Sequence, residues 1–290
     1  MSEAENTVVF RKEIETLKVS ESRIVKSRDM KTRHFHDSIE LYILTEGTRY
    51  FFVDRKIHVI KGGSAILIPP GQIHKTSTFG DEPRHRRFLL QYAREGSESI
   101  LLSAFSLTFE DFCRKYTGPV AFRPEKWAAL LTAMEKLKQE FGGENPYLPM
   151  VKLRAHELLF LFTEEFDYLQ NLKKETGGNE PLASDVPASI QRVIEYLNEH
   201  CMDDILLDDL ARRFFVSRAY LTRNFRRMTG VSIIQYLTVV RIRRACQLLK
   251  DTDEPITKIA RECGFSNTTY FENVFRRLRG MSPGRYRRET

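Results

Sequence analysis

The chain has 290 residues, a formal net charge of +7, and 41% hydrophobic and 29% charged residues. This length exceeds one average domain, and the composition is that of a globular protein rather than a membrane protein, because no apolar run approaches the roughly 20 residues that cross a bilayer. The polar N-terminal residues 1–5 do not resemble a signal peptide, so we expect a cytoplasmic protein that makes no membrane contact. The four cysteines lack the close spacing of zinc sites, which predicts free thiols.

Residues from about 7 to 95 form short runs that alternate apolar and polar side chains and are rich in β-branched and aromatic residues. Turn signals separate these runs at 46–47, 54–55, 62–63 and 69–71. Alternation with a period of two, broken by closely spaced turns, is typical of hairpins in a small barrel or sandwich. The sequence therefore predicts an all-β domain over about residues 1–100.

The hydrophobic period changes after residue 100. Two segments, 127–141 and 158–169, carry apolar residues three and four positions apart, which predicts two amphipathic helices. The breaker-rich segment 142–146 is short enough to fold them into an antiparallel pair. We expect this pair, within residues 101–172, either to pack on the β domain or to form the interface of a homodimer.

The polar, aperiodic segment 173–186 is predicted to be a linker to a helical domain over 187–290. The charge divides unevenly at this boundary. Residues 187–290 hold 19 Lys and Arg against 12 Asp and Glu, whereas the preceding residues hold 27 of each. Because Lys and Arg bind phosphates, the basic domain indicates a polyanionic partner. Its arginines are interleaved with apolar residues at helical spacing, which favours nucleic acid over a membrane surface.

The basic domain contains an internal repeat. Residues 207–230 align with residues 256–280, so that Ala211 matches Ala260 and Gly230 matches Gly280. Each copy has the pattern of a short helix with a small residue, a tight turn and a second helix, which is typical of helix-turn-helix units. The buried side chains of the two second helices are predicted to be Leu221, Phe225, Phe271 and Phe275.

A longer helix is predicted between the two copies. Ser232 and Gln235 form a capping box, and the helical pattern then continues to about Lys250. At 1.5 Å per residue this helix is about 28 Å long, which approaches the roughly 34 Å between successive major grooves on one side of B-DNA. The spacing predicts that a single chain can read two grooves.

The segment from about Pro187 to Arg288 resembles the DNA-binding domain of the AraC family of bacterial transcription regulators. The resemblance is carried above all by residues 264–287, including the Ser-Pro pair at 282–283. It implies a sequence-specific, non-enzymatic regulator that binds double-stranded DNA through two helix-turn-helix units. It also favours a homodimer formed through the helical pair or the barrel, and makes RNA polymerase a candidate partner.

The resemblance, together with side-chain chemistry, assigns the exposed residues of the second helices. Arg can form paired hydrogen bonds with guanine, and Asn can do so with adenine. The base-contacting residues are expected to be Ala219, Thr222, Arg223, Thr268, Thr269 and Asn273. Phosphate contacts are expected from Ser217, Arg218, Arg226 and Arg276. Family members often carry Arg or Lys where Asn273 stands, so the target of the second unit stays open.

The β domain resembles the two cupin motifs. His34, His36 and Glu40 match the first motif and His74 matches the second, although Arg28 stands where an opening glycine is expected. In metal-binding cupins the matching residues hold a divalent transition metal. Many AraC-type sensors resemble the motif without using metal, so we expect no cofactor, with a metal site at His34, His36, Glu40 and His74 as the alternative. The effector pocket is expected to contain His34, His36, Glu40, Tyr42, Tyr50 and His74, and its ligand to be a sugar or another small polar metabolite.

Three functions follow from these patterns. The first is a ligand-responsive transcription regulator of multidomain α+β class, with a cupin-like barrel and helical pair followed by an all-α domain with two helix-turn-helix units. The second is a metal-dependent cupin enzyme with an accessory helical domain, against which the basic repeat argues. The third is an architectural DNA binder without sequence preference, which the different polar residues of the two second helices disfavour.

Overall fold

The structure is a computed structural model that describes residues 6–26, 38–53, 56–70, 72, 74–79, 82–176 and 188–289. It divides into two compact units, Met1–Val186 and Pro187–Thr290. The first unit is rich in strands and the second is helical, which confirms the multidomain α+β fold class expected from the sequence. Among the described helices, none combines the length and the hydropathy that a membrane span requires.

The first unit is built on two antiparallel sheets. The described strands are β1 (Thr7–Ile14), β2 (Leu17–Ile24), β3 (Ser38–Glu46), β4 (Thr48–Val53), β5 (Lys56–Lys61), β6 (Ser64–Ile68), β7 (Lys75–Thr78), β8 (His85–Ala93) and β9 (Gly118–Ala121). The larger sheet has the order β1-β2-β8-β3-β6-β9, and the smaller sheet has the order β5-β4-β7. Strands from both sheets contribute apolar side chains to one core cluster that includes Tyr42, Phe51 and Ile66, so these side chains face the space between the sheets.

Glycine sets two turns, between β3 and β4 and between β5 and β6, at which the chain passes from one sheet to the other. Gly47 and Gly63 have φ values of +90° and +92°, a region that residues with a Cβ rarely adopt. At Gly47 a Cβ would also lie 2.4 Å from the carbonyl oxygen of Arg84. The turns expected at 46–47 and 62–63 are therefore present, and each joins two strands of the barrel.

Four helices cover the outer face of the larger sheet. They are α1 (Arg94–Phe105), α2 (Phe109–Lys115), α3 (Pro124–Gly142) and α4 (Leu148–Thr176). Apolar residues of β2, β3 and β8, such as Val19, Leu41 and Leu90, share one core with Leu130 of α3 and Phe162 of α4. The two long helices expected from the hydrophobic period are α3 and α4, and they pack against each other.

The helical segment is not separate from the barrel. Helix α1 begins at Arg94, before the expected boundary at residue 100, and β9 adds a strand to the larger sheet beside β6. Sequence periodicity missed α1, α2 and β9. Helix α2 and strand β9 are short, with 7 and 4 residues, and α2 begins at a local cap, Thr108, whose side chain accepts from the amide of Asp111. Helix α4 continues to Thr176, beyond the expected start of the linker at 173, and residues 177–187 lie outside the described part.

The second unit consists of seven described helices. They are α5 (Ala188–Glu199), α6 (Leu207–Arg213), α7 (Arg218–Thr229), α8 (Ile233–Asp251), α9 (Ile256–Glu262), α10 (Thr268–Arg279) and α11 (Pro283–Glu289). The pairs α6–α7 and α9–α10 are the two copies of the repeat, and α8 connects them. Ser232 and Gln235 form the expected capping box at the start of α8.

Candidate nucleic-acid interface and ligand cavity

The two helix-turn-helix copies share the same turn geometry. In each turn one residue adopts the left-handed backbone region, Phe215 with φ +55° and Gly264 with φ +77°. The amide of that residue donates to the carbonyl oxygen three residues earlier, at 3.1 and 2.9 Å, and the next amide donates five residues back, at 3.1 and 3.0 Å. This arrangement satisfies carbonyl groups at the C-terminal ends of α6 and α9 and reverses the chain toward the second helix.

The second helices, α7 and α10, match in length and in both caps. Each has 12 residues. The side chains of Ser217 and Asn267 accept from the backbone amide three residues on, at 3.1 and 2.9 Å. Gly230 and Gly280 end the helices in the left-handed region, with φ values of +79° and +73°. The internal alignment of the sequence therefore corresponds to a repeated structure.

One face of each second helix is buried. Leu221, Phe225, Phe271 and Phe275 are all 0% exposed, which confirms the prediction for these four side chains. On the remaining surface, the structure leaves most of the expected base-contacting residues accessible: Ala219, Arg223, Thr269 and Asn273 are exposed, and Thr222 and Thr268 are half-buried. The Thr222 hydroxyl donates to the carbonyl oxygen of Arg218 at 2.9 Å.

The expected phosphate-contacting residues lie at the ends of these helices. Ser217 is the N-cap of α7, and the exposed side chains of Arg226 and Arg276 lie in the last turns of α7 and α10. The guanidinium of Arg218 forms an ion pair with Asp208, with 3.0 Å between Nη1 and Oδ2. Because this pair is exposed, it contributes little to stability and leaves Arg218 free to exchange Asp208 for a phosphate.

Between the sheets of the first unit, Glu40 and His74 are brought together. Glu40 is 2% and His74 is 6% exposed, and 3.8 Å separates His74 Nε2 from Glu40 Oε1. The side-chain amide of Gln91 donates to the other Glu40 oxygen at 2.8 Å. His34 and His36 lie outside the described residues, and within the described part no three potential ligands form a metal-binding group. The alternative metal site is thus carried by two described residues only.

Tyr42 and Tyr50 were expected to line the same pocket, but they lie on different faces. Tyr42 faces the space between the sheets, where its ring meets that of Phe51 edge-on at a centroid distance of 5.0 Å. Side chains alternate along a strand, so Tyr50 points to the other face of β4 from its neighbour Phe51. There it contacts Phe79, with 5.0 Å between ring centroids. The assignment of Tyr50 to the interior pocket is therefore corrected.

A cavity of about 250 Å³ lies along the polar strip of β1, β2 and β8. Its lining residues are Val8, Arg11, Lys12, Glu13, Lys18, Val19, Ser20, Ser22, Arg87 and Gln91. None of the expected pocket residues lines it directly, although Gln91 hydrogen-bonds Glu40 and the Arg87 guanidinium lies 5.9 Å from the centroid of the Tyr42 ring. The sequence carries part of the signal for this cavity, because Lys18, Ser20 and Ser22 stand at alternate positions of β2, whereas β8 has Leu89 between Arg87 and Gln91.

Two family models match the chain, each over one of the two units. One, described as a helix-turn-helix domain, matches residues 210–289, and the other, described as an AraC-like ligand binding domain, matches residues 26–100. The chain belongs to the AraC family. The resemblance noted in the sequence is thereby confirmed, and this AraC-family protein is a DNA-binding transcriptional regulator with a ligand-binding N-terminal domain.

Relatives cover nearly the whole regulator. The uncharacterized HTH-type transcriptional regulator YisR of Bacillus subtilis is 26% identical over 277 residues, which is 91% of each chain. The HTH-type transcriptional activator RhaR of Mannheimia succiniciproducens is 25% identical over 88% of this chain and 86% of its own. The HTH-type transcriptional activator RhaS of Klebsiella pneumoniae is 25% identical over 86% of this chain and 85% of its own. These relatives are regulators rather than enzymes.

Sequence reasoning missed one residue that connects the two halves of the regulator's DNA-binding unit. Arg241, in the middle of α8, donates through Nε to the carbonyl oxygen of Cys201 at 2.7 Å and through Nη2 to that of Asp203 at 2.8 Å. Its guanidinium also lies against the α9–α10 turn, because a Cβ added to Gly264 would be 2.8 Å from Arg241 Cζ. One side chain therefore links the loop before α6 to the turn before α10.

Proposed function

We propose that this AraC-family regulator reads two successive major grooves of its operator with α7 and α10. The observation that carries the proposal is the repeated geometry: two helices of equal length, with the same caps, one fully buried apolar face, and polar side chains on the accessible surface. Helix α8 is about 28 Å long, which is a suitable length for holding α7 and α10 on the same side of the duplex. The excess positive charge of residues 187–290 supports binding to phosphates.

The side chains are proposed to divide into two roles. Base edges are contacted by Ala219, Thr222, Arg223, Thr268, Thr269 and Asn273. Phosphates are contacted by Ser217, Arg218, Arg226 and Arg276. The division follows from chemistry: Arg223 and Asn273 can pair bidentately with a base, whereas the arginines of the last helical turns supply charge near the backbone.

The first unit is proposed to bind the effector, a sugar or another small polar metabolite. Between the sheets, the polar groups of Glu40, Tyr42 and Gln91 lie beside buried apolar side chains such as Phe51, and apolar surroundings with a few polar groups support a small-molecule site in this unit. For the effector to regulate, it must bind one state of the protein more tightly than another.

We propose that the protein acts in the cytoplasm, that it has no catalytic role, and that RNA polymerase is its partner at the promoter.

A homodimer through α3 and α4 completes the proposal. Both helices expose large apolar side chains, including Leu131 at 37%, Leu153 at 52% and Leu172 at 41%. A dimer contact that covers these side chains would remove their apolar surface from water.

The proposal is tested by selecting binding sites from random DNA duplexes with the purified full-length protein at near-physiological salt. We expect a site with two elements about one helical turn apart. A matched protein that carries Arg223→Ala and Asn273→Ala is expected to bind the same DNA with little preference. Failure to enrich any sequence, with and without candidate effectors, would contradict the proposal.

A further inference from the structure

Arg87 is an interior cation without a carboxylate partner in the described part of the chain. It lies on β8 and is half-buried, with its guanidinium over the ring of Tyr42. Its Nε is inaccessible to water and makes no hydrogen bond with a described residue. Charged groups inside proteins are normally paired, because an unpaired buried charge loses its hydration without compensation. The half-buried guanidinium of Arg87 contacts Tyr42 and forms no ion pair with a described carboxylate, so it can bind an anionic ligand.

The strand register shows what surrounds this guanidinium. On the face of the larger sheet toward the smaller one, Arg87 lies between Ser22 of β2 and Leu44 of β3. Two residues farther along the chain, Ser20 and Leu89 are paired, and Lys18 and Gln91 follow. Paired side chains on one face of a sheet are about 5 Å apart, so Arg87 lies beside Ser22, and Ser20 and Gln91 follow on the same face, on either side of Leu89. These four polar residues line the 250 Å³ cavity.

The cavity is basic. Its lining includes Arg11, Lys12, Lys18 and Arg87, and the one carboxylate among its lining residues, Glu13, forms an ion pair with Lys18. Glu40, a buried carboxylate, accepts from the cavity residue Gln91 and lies beside His74. Burial is the largest cause that lowers the pKa of His85, which lies on β8 outside the cavity, to about 4, and the charges of Arg49 and Arg87 act in the same direction.

We propose that the effector of this regulator is an oxyanion, a small metabolite whose carboxylate or phosphate binds the guanidinium of Arg87. Ser22 and Ser20 donate hydrogen bonds to the same anionic group, and the amide of Gln91 contacts the polar remainder of the molecule. A guanidinium flanked by hydroxyl groups matches the planar, multiple acceptors of a carboxylate or phosphate. This inference rests on the proposed sensing role of the first unit and specifies the chemistry of its ligand.

A larger cavity of the first unit lacks this feature. The cavity of about 660 Å³ between the helices α1 and α2 and the residues Pro69, Pro70 and Gln72 contains Arg94 and Arg114. Arg94 already pairs with Glu98 and Glu110, and Arg114 pairs with Asp111. The two arginines of that cavity are therefore paired with carboxylates of the protein, which makes the cavity a weaker candidate for binding an anion.

The test compares neutral and anionic ligands of the same shape. Thermal unfolding of the full-length protein is followed with glucose, glucuronate, glucose 6-phosphate and inorganic phosphate at constant ionic strength. We expect glucuronate, glucose 6-phosphate or both to raise the unfolding temperature of the first unit, with glucose ineffective. A response to glucuronate alone identifies a carboxylate site, and a response to glucose 6-phosphate and inorganic phosphate identifies a phosphate site.

Variants distinguish anion binding in the cavity from anion binding by the basic DNA-binding unit. Arg87→Met is expected to weaken the anion response at least tenfold, whereas Arg84→Met, at an exposed arginine outside the cavity, is expected to leave it unchanged. Arg87→Lys keeps the charge without the forked donors and is expected to retain part of the response. If Arg87→Met does not fold, the comparison of Arg87→Lys with the parent protein replaces it, and an unchanged response in that variant overturns the proposal.

Two further results would overturn the proposal: equal stabilisation by glucose and glucuronate, or no response to any anion in the set. The operator selection described above is independent of this outcome. Loss of DNA specificity with an intact anion response would contradict the proposed DNA readout alone, and a selected operator without any anion response would contradict the oxyanion alone.

Discussion

Phe215 combines two unfavourable features at one position. Its backbone has φ +55°, and its side chain is 95% exposed. In the second copy the same position is Gly264, with the same hydrogen bonds in the turn. The left-handed region costs a residue with a Cβ about 1–2 kcal/mol, whereas glycine loses about 0.5–1 kcal/mol more backbone entropy on folding. The turn geometry therefore favours glycine at 215, and the aromatic side chain contributes no burial in return.

We expect Phe215→Gly to raise the free energy of unfolding of the second unit by about 0.5–1 kcal/mol, because it relieves the strained backbone without removing a packed side chain. Urea unfolding of the full-length protein, followed through the transition of the helical unit, measures the change. Gly264→Ala is the matched comparison in the other copy. It is expected to destabilise the unit, because the added Cβ lies 2.8 Å from Arg241 Cζ and the backbone has φ +77°. A loss of stability in Phe215→Gly would show that the aromatic ring is packed.

Arg223 is expected to read one base rather than to supply general affinity. It is exposed on α7, between the buried Leu221 and Phe225. Arg223→Ala should reduce discrimination at one operator position by about 1–3 kcal/mol. Competition binding with operators changed at single positions measures this effect, and Arg226→Ala serves as the comparison because loss of a phosphate contact weakens all sequences and lowers the salt dependence. An equal loss on every sequence for Arg223→Ala would exclude base reading.

At the scale of elements, simultaneous binding to two grooves requires a fixed angle between α7 and α10. Helix α8 provides the distance between them, but a single helix does not fix the rotation of units attached at its ends. Arg241 supplies a second connection, since it binds the carbonyl oxygens of Cys201 and Asp203 and packs on Gly264. Burial lowers the pKa of Arg241, so these hydrogen bonds satisfy a charge that is already partly desolvated. We infer that Arg241 positions the two helix-turn-helix units for simultaneous binding.

Arg241→Gln is expected to weaken binding to the selected operator about tenfold and to broaden the tolerated spacing between its two elements, because the angle between α7 and α10 is no longer fixed. Binding to operators with one or two base pairs inserted or deleted between the elements measures the spacing preference. A role confined to stability would lower affinity on all spacings alike. Arg241→Lys can donate to one of the two carbonyl groups at a time and should fall between the parent protein and Arg241→Gln.

At the scale of the whole molecule, the first unit carries buried histidines that folding keeps neutral. Burial lowers the pKa of His85 and of His156 to about 4, with positive charges nearby acting in the same direction. His156 packs against Tyr92, with 4.9 Å between ring centroids. A histidine in the unfolded chain titrates near 6.5. Between these values the unfolded chain binds more protons than the folded one, so stability must decrease as the pH falls through this window.

We expect the free energy of unfolding of the first unit to fall by about 1–2 kcal/mol per histidine between pH 7 and pH 5, after allowance for partial exposure. Most carboxylates remain ionised in this range, so they do not obscure the effect. Thermal unfolding of the full-length protein at pH 7, 6 and 5 provides the measurement. His156→Gln should flatten the pH dependence of the first unit, whereas His200→Gln, at a half-buried histidine of the second unit, should leave it unchanged. A first unit of constant stability over this range would show that these histidines are hydrated.

The DNA-binding unit could be predicted from sequence because its determinants are local. Ala211, Ala260 and the glycines at 230 and 280 mark crossings and helix ends, and the spacing of Leu221 and Phe225 fixes which face is buried. The effector site could not be predicted in the same way. Tyr42 and Tyr50 are both aromatic residues in strands, but one faces the interior and the other does not, and only strand pairing decides which polar residues share a wall.

The sequence by itself determined the two-unit organisation, the strand-rich start of the first unit, the helical character of the second, the repeat and the family, because periodicity, turn residues and charge act over short stretches of chain. The tertiary structure decided which distant residues meet: the link from Arg241 to Cys201, Asp203 and Gly264, and the cavity in which Arg87 lies beside Ser22. These contacts join segments tens of residues apart, and their formation depends on strand register and helix packing. Local sequence constrains each segment, and the pairing of segments creates the sites.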